Sequence, residues 1–213
     1  MLRFENCTFN ATGLNQKDKT FGLILTGDED IYINDCIFNG TGYAGILNNS
    51  NAKVFISRTI FNCDNLYNPI EGTQDTNINN DNVEITNCIF TGHPGNNFIN
   101  FYKVKPGSKH IINNCSFAGQ CNNNILRLSN RNNAIAEFDI LDSEYIYTGG
   151  TEDEYTGCVL LQDYTNKSGN KQNFANYTLK FKNLTKPSIG SLYYVYEDGI
   201  GIITNNNPII VQE

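Results

Sequence analysis

Seven cysteines are the residues of this sequence whose type and placement first suggest chemistry. Four of them share one place in a short recurring motif: Cys7, Cys36, Cys88 and Cys115. No two cysteines have the C-x₂-C spacing, and His93 and His110 do not complete a zinc pattern. An odd number also excludes complete pairing within the chain. We therefore expect a row of free, buried thiols that fill space as small apolar groups, with a disulfide between adjacent repeats as the alternative.

The carboxylates do not have the placement that sugar-cleaving enzymes need. Such enzymes use two carboxyl groups about 5–10 Å apart, which in a repeating fold requires acids at matching places in neighbouring repeats. The acids instead form two consecutive runs, 28–30 and 152–154. Runs of this kind are typical of solvated turns, with calcium binding as the alternative. We predict no catalytic residue, no metal ligand and no cofactor.

Tyrosines in the last third of the chain are the remaining candidates for binding. Aromatic rings on a lateral surface can stack against sugars or pack against a partner protein. The candidates are Tyr147, Tyr155, Tyr164 and Tyr193. The alternative is that alternate members of the run, such as Tyr194 and Tyr196, simply belong to the core.

One eight-residue motif organises most of the chain. It reads apolar, any, apolar, any, Asn or Asp, Cys, any, Phe, as in 83–90, and further copies of varying quality start at Leu2, Ile31, Val54, His110, Phe138 and Leu179. A second apolar run, such as 98–101 or 125–128, lies between successive copies. The motif and the apolar run that follows it therefore predict about three short strands per repeat, separated by corners.

The parity within the motif predicts a corner at its Asn or Asp. The two apolar residues occupy the first and third positions of the motif, whereas the Cys and Phe occupy the sixth and eighth. Side chains at odd and even positions of a straight strand point to opposite faces, so such a strand cannot turn all four inward. One residue in the left-handed backbone conformation can turn all four inward, and Asn tolerates that conformation. The stacked corner residues, which we call the corner ladder, would be Asn6, Asp35, Asn87, Asn114, Asp142 and Asn183. The stacked rings would be Phe9, Phe38, Phe61, Phe90, Phe117 and Tyr145, with the four motif cysteines beside them. Arg58 interrupts the corner ladder and should point outward.

The composition excludes several classes of protein. A net charge of −7 and a pI near 4.8 argue against a nucleic-acid surface. There is no apolar run long enough to span a membrane. The first residues have neither a basic nor an apolar segment, so no secretory signal is visible. The 35 asparagines favour tight turns and corners.

The Asn-Cys-x-Phe corner after an alternating strand resembles the right-handed parallel β-helix proteins of the pectin-lyase-like superfamily. The resemblance covers residues 2–185 and implies an all-β fold, a single-stranded right-handed parallel β-helix of about seven coils with a C-terminal β cap. We accordingly expect a parallel β-helix over 1–185 and a cap or interface hairpin over 186–213, formed by the last two apolar runs, 200–203 and 209–211. Members of this superfamily include polysaccharide lyases and hydrolases, adhesins and bacteriophage structural proteins. The Asn-Thr-Asp, paired-Asp, Gly-His-Gly and Arg-Ile-Lys motifs of its pectin-degrading hydrolases are not present.

These observations favour a non-catalytic structural and binding component of a bacteriophage virion: a head fibre, capsid decoration or tail-spike-type protein. The first coil would begin at Leu2, which leaves no length for an N-terminal cap, so we expect another virion subunit or a second copy to cover it, with upstream chain as the alternative. Lateral loops would contact neighbouring subunits or host surface glycans, with no nucleic-acid or membrane partner. The alternatives are a polysaccharide lyase or glycoside hydrolase of the same fold and a cell-surface adhesin fragment.

Overall fold

The fold is almost entirely β-strand. The computed structural model describes residues 1–13, 15, 18–64, 66–72, 77–120, 124–149, 157–163, 172–186 and 191–213. Across these ranges the only helical segment is one 3₁₀ turn, Phe174–Asn176. Nowhere in them is there a helix with the length and apolar character needed to cross a membrane. This confirms the predicted all-β class.

Eight parallel strands, which we call the first sheet, stack in chain order. They are β1 (Leu2–Glu5), β4 (Ile31–Asn34), β6 (Val54–Ser57), β9 (Val83–Thr86), β12 (Lys109–Asn113), β15 (Ala136–Leu141), β18 (Tyr177–Lys182) and β21 (Ile209–Gln212). In β4, β6 and β9 the Ile and Val residues at alternate positions are buried in the core and the residues between them face outward, as the apolar alternation of the motif predicts.

The remaining strands form a second and a third sheet, joined because the 14-residue strand β5 (Ile37–Ser50) takes part in both. The second sheet contains β2 (Thr8–Thr12), β5, β7 (Ile60–Asn62), β10 (Ile89–Thr91), β13 (Ser116–Gln120) and β16 (Glu144–Gly149). The third sheet contains β3 (Phe21–Gly27), β5, β8 (Leu66–Gly72), β11 (Ile99–Phe101), β14 (Leu126–Leu128), β17 (Gly157–Asp163), β19 (Ser191–Glu197) and β20 (Gly201–Ile203).

The strand register aligns equivalent motif residues. Phe38 pairs with Phe61, Phe61 with Phe90, and Phe90 with Phe117. The rings along this line are nearly parallel, with centroids 4.5–5.0 Å apart from Phe9 through Phe117. Tyr145 pairs with Phe117, and its hydroxyl donates to the Gln120 carbonyl. A continuous aromatic column therefore lies inside the stacked sheets, where each ring removes apolar surface from water.

Every corner residue has the left-handed backbone conformation. Their φ angles lie between 45° and 55°, at Asn6, Asp35, Arg58, Asn87, Asn114, Asp142 and Asn183. The next strand begins two residues after each corner. The left-handed residue changes which face of the chain the following side chains occupy, and so it turns the Cys and Phe positions inward. Arg58 also takes this conformation, and its exposed guanidinium forms two hydrogen bonds of 2.8 and 2.7 Å to Asp35 of the preceding repeat.

The C-terminal pairing differs from the expectation. The predicted hairpin between the last two apolar runs is wrong, because β20 pairs antiparallel with β19 and not with β21. Strand β21 instead adds to the first sheet beside β18, with Leu179 opposite Ile210. The turn at 198–200 brings β20 back beside β19, so β20 already has a pairing partner. The free edge of β18 is then available to pair with a short apolar strand.

Substitutions at Asn87 test the corner. We expect Asn87→Ala to lower the free energy of unfolding by about 1–2 kcal/mol, because an alanine Cβ is strained in the left-handed region. The matched variant Asn87→Gly removes the same side chain without that strain, so it should retain more stability. Urea unfolding measures both. Equal losses in the two variants would contradict the role assigned to the backbone conformation.

Candidate functional site

The motif thiols serve the scaffold. Each donates to the carbonyl two residues earlier, as in Cys36 to Asn34 (3.2 Å), Cys88 to Thr86 (3.3 Å) and Cys115 to Asn113 (3.3 Å). All six described cysteines are free thiols, and Cys121 lies outside the described residues. A hydrogen bond with Cys115, together with burial, raises the pKa of the Cys88 thiol. A buried thiol with a raised pKa is a poor nucleophile.

Hydroxyl groups can replace these thiols because they make the same bond. Thr59 Oγ1 donates to the Ser57 carbonyl at 3.0 Å, and Ser143 Oγ donates to the Leu141 carbonyl at 2.7 Å. Each hydroxyl also accepts from the backbone N–H of the neighbouring repeat's cysteine. The position therefore selects a small side chain that donates a hydrogen bond, which explains why Cys, Thr and Ser interchange there.

The structure divides the four candidate binding tyrosines. Tyr155 and Tyr164 lie outside the described residues, and Tyr147 is described only as a backbone position of β16. Tyr193 is half-buried, packs against the core and also lines an open groove of about 400 Å³ beside β20. Its neighbours Tyr194 and Tyr196 do not belong to the buried core. They line a smaller groove of about 280 Å³ with Leu160 and Gln162.

One outward-facing line of the third sheet carries buried polar side chains that the sequence analysis missed. Glu71 on β8, Asn100 on β11 and Arg127 on β14 occupy equivalent positions in the strand register. Glu71 is 1% exposed, and Asn100 and Arg127 are also buried. For Asn100 and Arg127, a polar residue in the middle of an apolar run was the signal in the sequence that could have revealed them, whereas Glu71, between Ile70 and Gly72, has no such signal.

Glu71 accepts hydrogen bonds from two buried amides and a tyrosine. Asn68 Nδ2 and Asn100 Nδ2 lie 2.7 and 3.0 Å from its Oε2, and the Tyr43 hydroxyl lies 3.4 Å from its Oε1. Tyr102 hydrogen-bonds to Glu71 as well, and the positive charge of Arg127 acts on it. These contacts hold the carboxyl group in one orientation, which is a requirement for a group that exchanges a proton with a ligand.

Burial dominates the electrostatics of this cluster. It raises the pKa of Glu71 to about 7, against the lowering effect of the amide and tyrosine hydrogen bonds and of Arg127. Burial and the charge of Glu71 raise the pKa of Tyr102 to about 12. The Arg131 guanidinium lies 4.4 Å from the centre of the Tyr102 ring. Glu71 thus changes protonation state near neutral pH, as a general acid or base would.

A second, buried row of asparagines supports this cluster. Asn68 Oδ1 accepts from the Asn97 N–H at 3.2 Å, and Asn97 Oδ1 accepts from the Asn124 N–H at 3.1 Å. Asn124 Nδ2 then donates to the Gly157 carbonyl at 2.7 Å. These bonds hold the chain in place where it enters the third sheet. They therefore also hold Asn68 in position to donate to Glu71. The row's sequence signal is an Asn two residues before Ile70, Ile99 and Leu126, which are equivalent positions in the third sheet.

An open groove of about 580 Å³ follows the corner between the first and second sheets, and we call it the corner groove. It is lined by Asn87, Cys88, Ile89, Asn114, Cys115, Ser116, Asp142, Ser143, Glu144, Asn183 and Thr185. Asn114 Nδ2 donates to Asn87 Oδ1 at 2.6 Å, and Asn183 Nδ2 donates to Asp142 Oδ1 at 2.7 Å. The exposed amides and carboxylates of four successive repeats therefore face solvent along one line.

The described residues contain no group of three or more His, Cys, Asp or Glu side chains arranged to hold a metal ion. His110 is a core residue, stacked on Phe138 with ring centroids 4.9 Å apart and within 3.0 Å of Ser108 Oγ. Burial lowers its pKa to about 3, so it is neutral at physiological pH.

The chain matches no family model, no curated protein and no solved structure.

Glu71 predicts a pH dependence of stability. Because its pKa rises from 4.5 in the unfolded chain to about 7 in the folded one, its contribution is complete below pH 4.5 and is lost as the pH rises through 7. That change corresponds to roughly 3 kcal/mol. We expect Glu71→Gln to remove this loss, and urea unfolding at pH 5 and pH 8 measures it. Glu84→Gln, at a half-buried acid on β9, is the control. An unchanged pH dependence in Glu71→Gln would contradict the assignment.

Proposed function

We propose that this chain is a right-handed parallel β-helix of about seven coils that serves as a non-catalytic structural and binding component of a bacteriophage virion. A head fibre, a capsid decoration or a tail-spike component would each use such a module. The observation that carries the proposal is the use of the motif residues: the rings stack in the core and the thiols bond to the backbone, so the repeated chemistry serves the scaffold.

The strand order supports the β-helix part of the proposal. From β1 to β18 the three sheets recur in the same succession along the chain, and equivalent strands of successive repeats pair in parallel. The left-handed corner and the Asn-Cys-x-Phe motif are the features in which the chain resembles the pectin-lyase-like superfamily.

The outermost strands support a role within an assembly. Among the strands that the structure describes, β1 pairs only with β4, and the core residues Phe4, Phe9 and Leu23 at this end are half-buried. A sheet edge with unpaired N–H and C=O groups beside incompletely buried core residues is a template for another chain. A neighbouring virion subunit, a second copy or chain upstream of Met1 would bury both.

Proline at the free edge tests this docking. The Leu2 and Asn6 N–H groups donate to the carbonyls of Asp30, just before β4, and of Asn34, so by the alternation of a parallel pair the Arg3 N–H faces away from β4. We expect Arg3→Pro to reduce self-association or capture of a virion partner while the circular dichroism spectrum is unchanged. Gln212→Pro, at the opposite edge of the same sheet, is the matched control. Light scattering and hydrogen exchange measure the outcome, and a monomeric wild type with a protected Arg3 amide would contradict the proposal.

A second candidate function is a polysaccharide lyase or glycoside hydrolase of the same fold. Glu71 favours it, because an oriented carboxyl group with a pKa near 7 beside two tyrosines and an arginine has the properties of an acid–base catalyst.

Turnover assays decide between the two candidates. Reducing-end and unsaturated-product assays over a panel of polysaccharides should show no activity if the chain is structural. Activity that is present in the wild type and in Glu84→Gln but lost in Glu71→Gln would establish the enzyme instead. A Gln retains the shape and an accepting oxygen but cannot exchange the proton.

A further inference from the structure

We propose that the corner groove binds a neutral glycan chain, whose hydroxyl groups donate hydrogen bonds to the Asn114 and Asp142 side-chain oxygens. The inference rests on the proposed binding function and names the site and the class of ligand. It derives from an interruption in the corner ladder at the centre of the groove.

The hydrogen bonds between side chains of the corner ladder and of Arg58 all run in one direction. Arg58 donates to Asp35, Asn114 to Asn87 and Asn183 to Asp142, so each donor serves the preceding repeat. Asp142 follows Asn114 directly in this order, because Asn113 and Leu141 pair in neighbouring strands. A carboxylate has no hydrogen to donate, so Asp142 cannot continue the series.

The interruption leaves two acceptors side by side in the groove. Along the described corner, no hydrogen bond joins Asn114 to Asp142, although both neighbouring pairs are bonded at 2.6 and 2.7 Å. Successive repeats lie about 4.8 Å apart. A ligand that presents donors at this spacing would supply the two missing bonds. The hydroxyl groups of a sugar chain can do so, and they also accept from the exposed amide of Asn87.

The charge of the groove selects a neutral ligand. Asp142 and Glu144 are its two charged side chains, and both are exposed. They repel the carboxylates of a uronic-acid chain, whereas they accept hydrogen bonds from uncharged hydroxyl groups. Ile89, which is 45% exposed, provides an apolar contact for the C–H face of a sugar ring. A few polar groups beside an apolar wall are typical of small-ligand sites.

Calorimetric titration of the full chain with three neutral pentasaccharides and one anionic one tests the proposal. The probes are cellopentaose, mannopentaose, N-acetylchitopentaose and pentagalacturonate. We expect at least one neutral pentamer to bind and pentagalacturonate to bind roughly tenfold more weakly than it. Failure of all three neutral pentamers, or a preference for pentagalacturonate, would overturn the proposal.

Two variants locate the binding. Asn114→Gly removes one acceptor without straining the left-handed backbone, and Asp142→Asn supplies the missing donor to Asn114 and so closes the interruption. Each should weaken binding by roughly tenfold, and Asp142→Asn should not lower the thermal midpoint. Asn6→Gly makes the first change at an exposed corner outside the groove, and it should bind as the wild type does.

The outcomes separate this inference from the proposed function. Binding that survives both Asn114→Gly and Asp142→Asn would place the glycan elsewhere and overturn the inference. Absence of glycan binding in a chain that still associates through β1 would overturn the inference alone. Glycan binding in the groove of a strictly monomeric chain would overturn the assembly proposal alone.

Discussion

The backbone conformation of one residue per repeat determines which side of the following strand meets the core. At the seven corners φ lies near +50°, and the parity of the chain reverses there. Without that reversal, a ring such as Phe90 would face water while Ile89 would turn inward, and the aromatic column would not form. The packing of rings 4.5–5.0 Å apart is thus a consequence of a local preference that Asn satisfies at little cost. The Arg58 corner shows that the stack can also impose this conformation on a residue that does not favour it.

Local patterns were sufficient to predict the strand class and the line of aromatic residues. Alternation and spacing are properties of eight consecutive residues, and the same eight residues bury the same side chains in each repeat. The C-terminal pairing could not be predicted in this way, because Ile209–Gln212 lacks the motif and its partner β18 is about 30 residues away. A short apolar run pairs with whichever edge the rest of the molecule leaves free.

Glu71 shows why the site was harder to predict than the fold. In sequence it is one acid in a run that also contains Pro69 and Ile70, and it faces outward from its strand. Its hydrogen-bond partners are Asn68, Asn100, Tyr43 and Tyr102, three of which lie 28 or more residues away in sequence. Burial raises its pKa, against the lowering effect of the hydrogen bonds from these three. Only the stacking of repeats brings these groups together. The asparagines have two different roles that the sequence does not distinguish. Asn97 accepts a hydrogen bond from a buried backbone N–H, whereas Asn114 presents its amide to solvent.

The fixed distance between corner and ring also determines where this chain can change length during evolution. Two residues separate Asn87 from Phe90 and Asn114 from Phe117 alike, whereas the segments between the third sheet and the next repeat differ in length. A single inserted or deleted residue inside the motif would exchange core and surface side chains for a whole strand. Outside it, the same event would only enlarge a connection. Variation in length should therefore accumulate along one side of the molecule, while the side that carries the corner groove keeps its spacing.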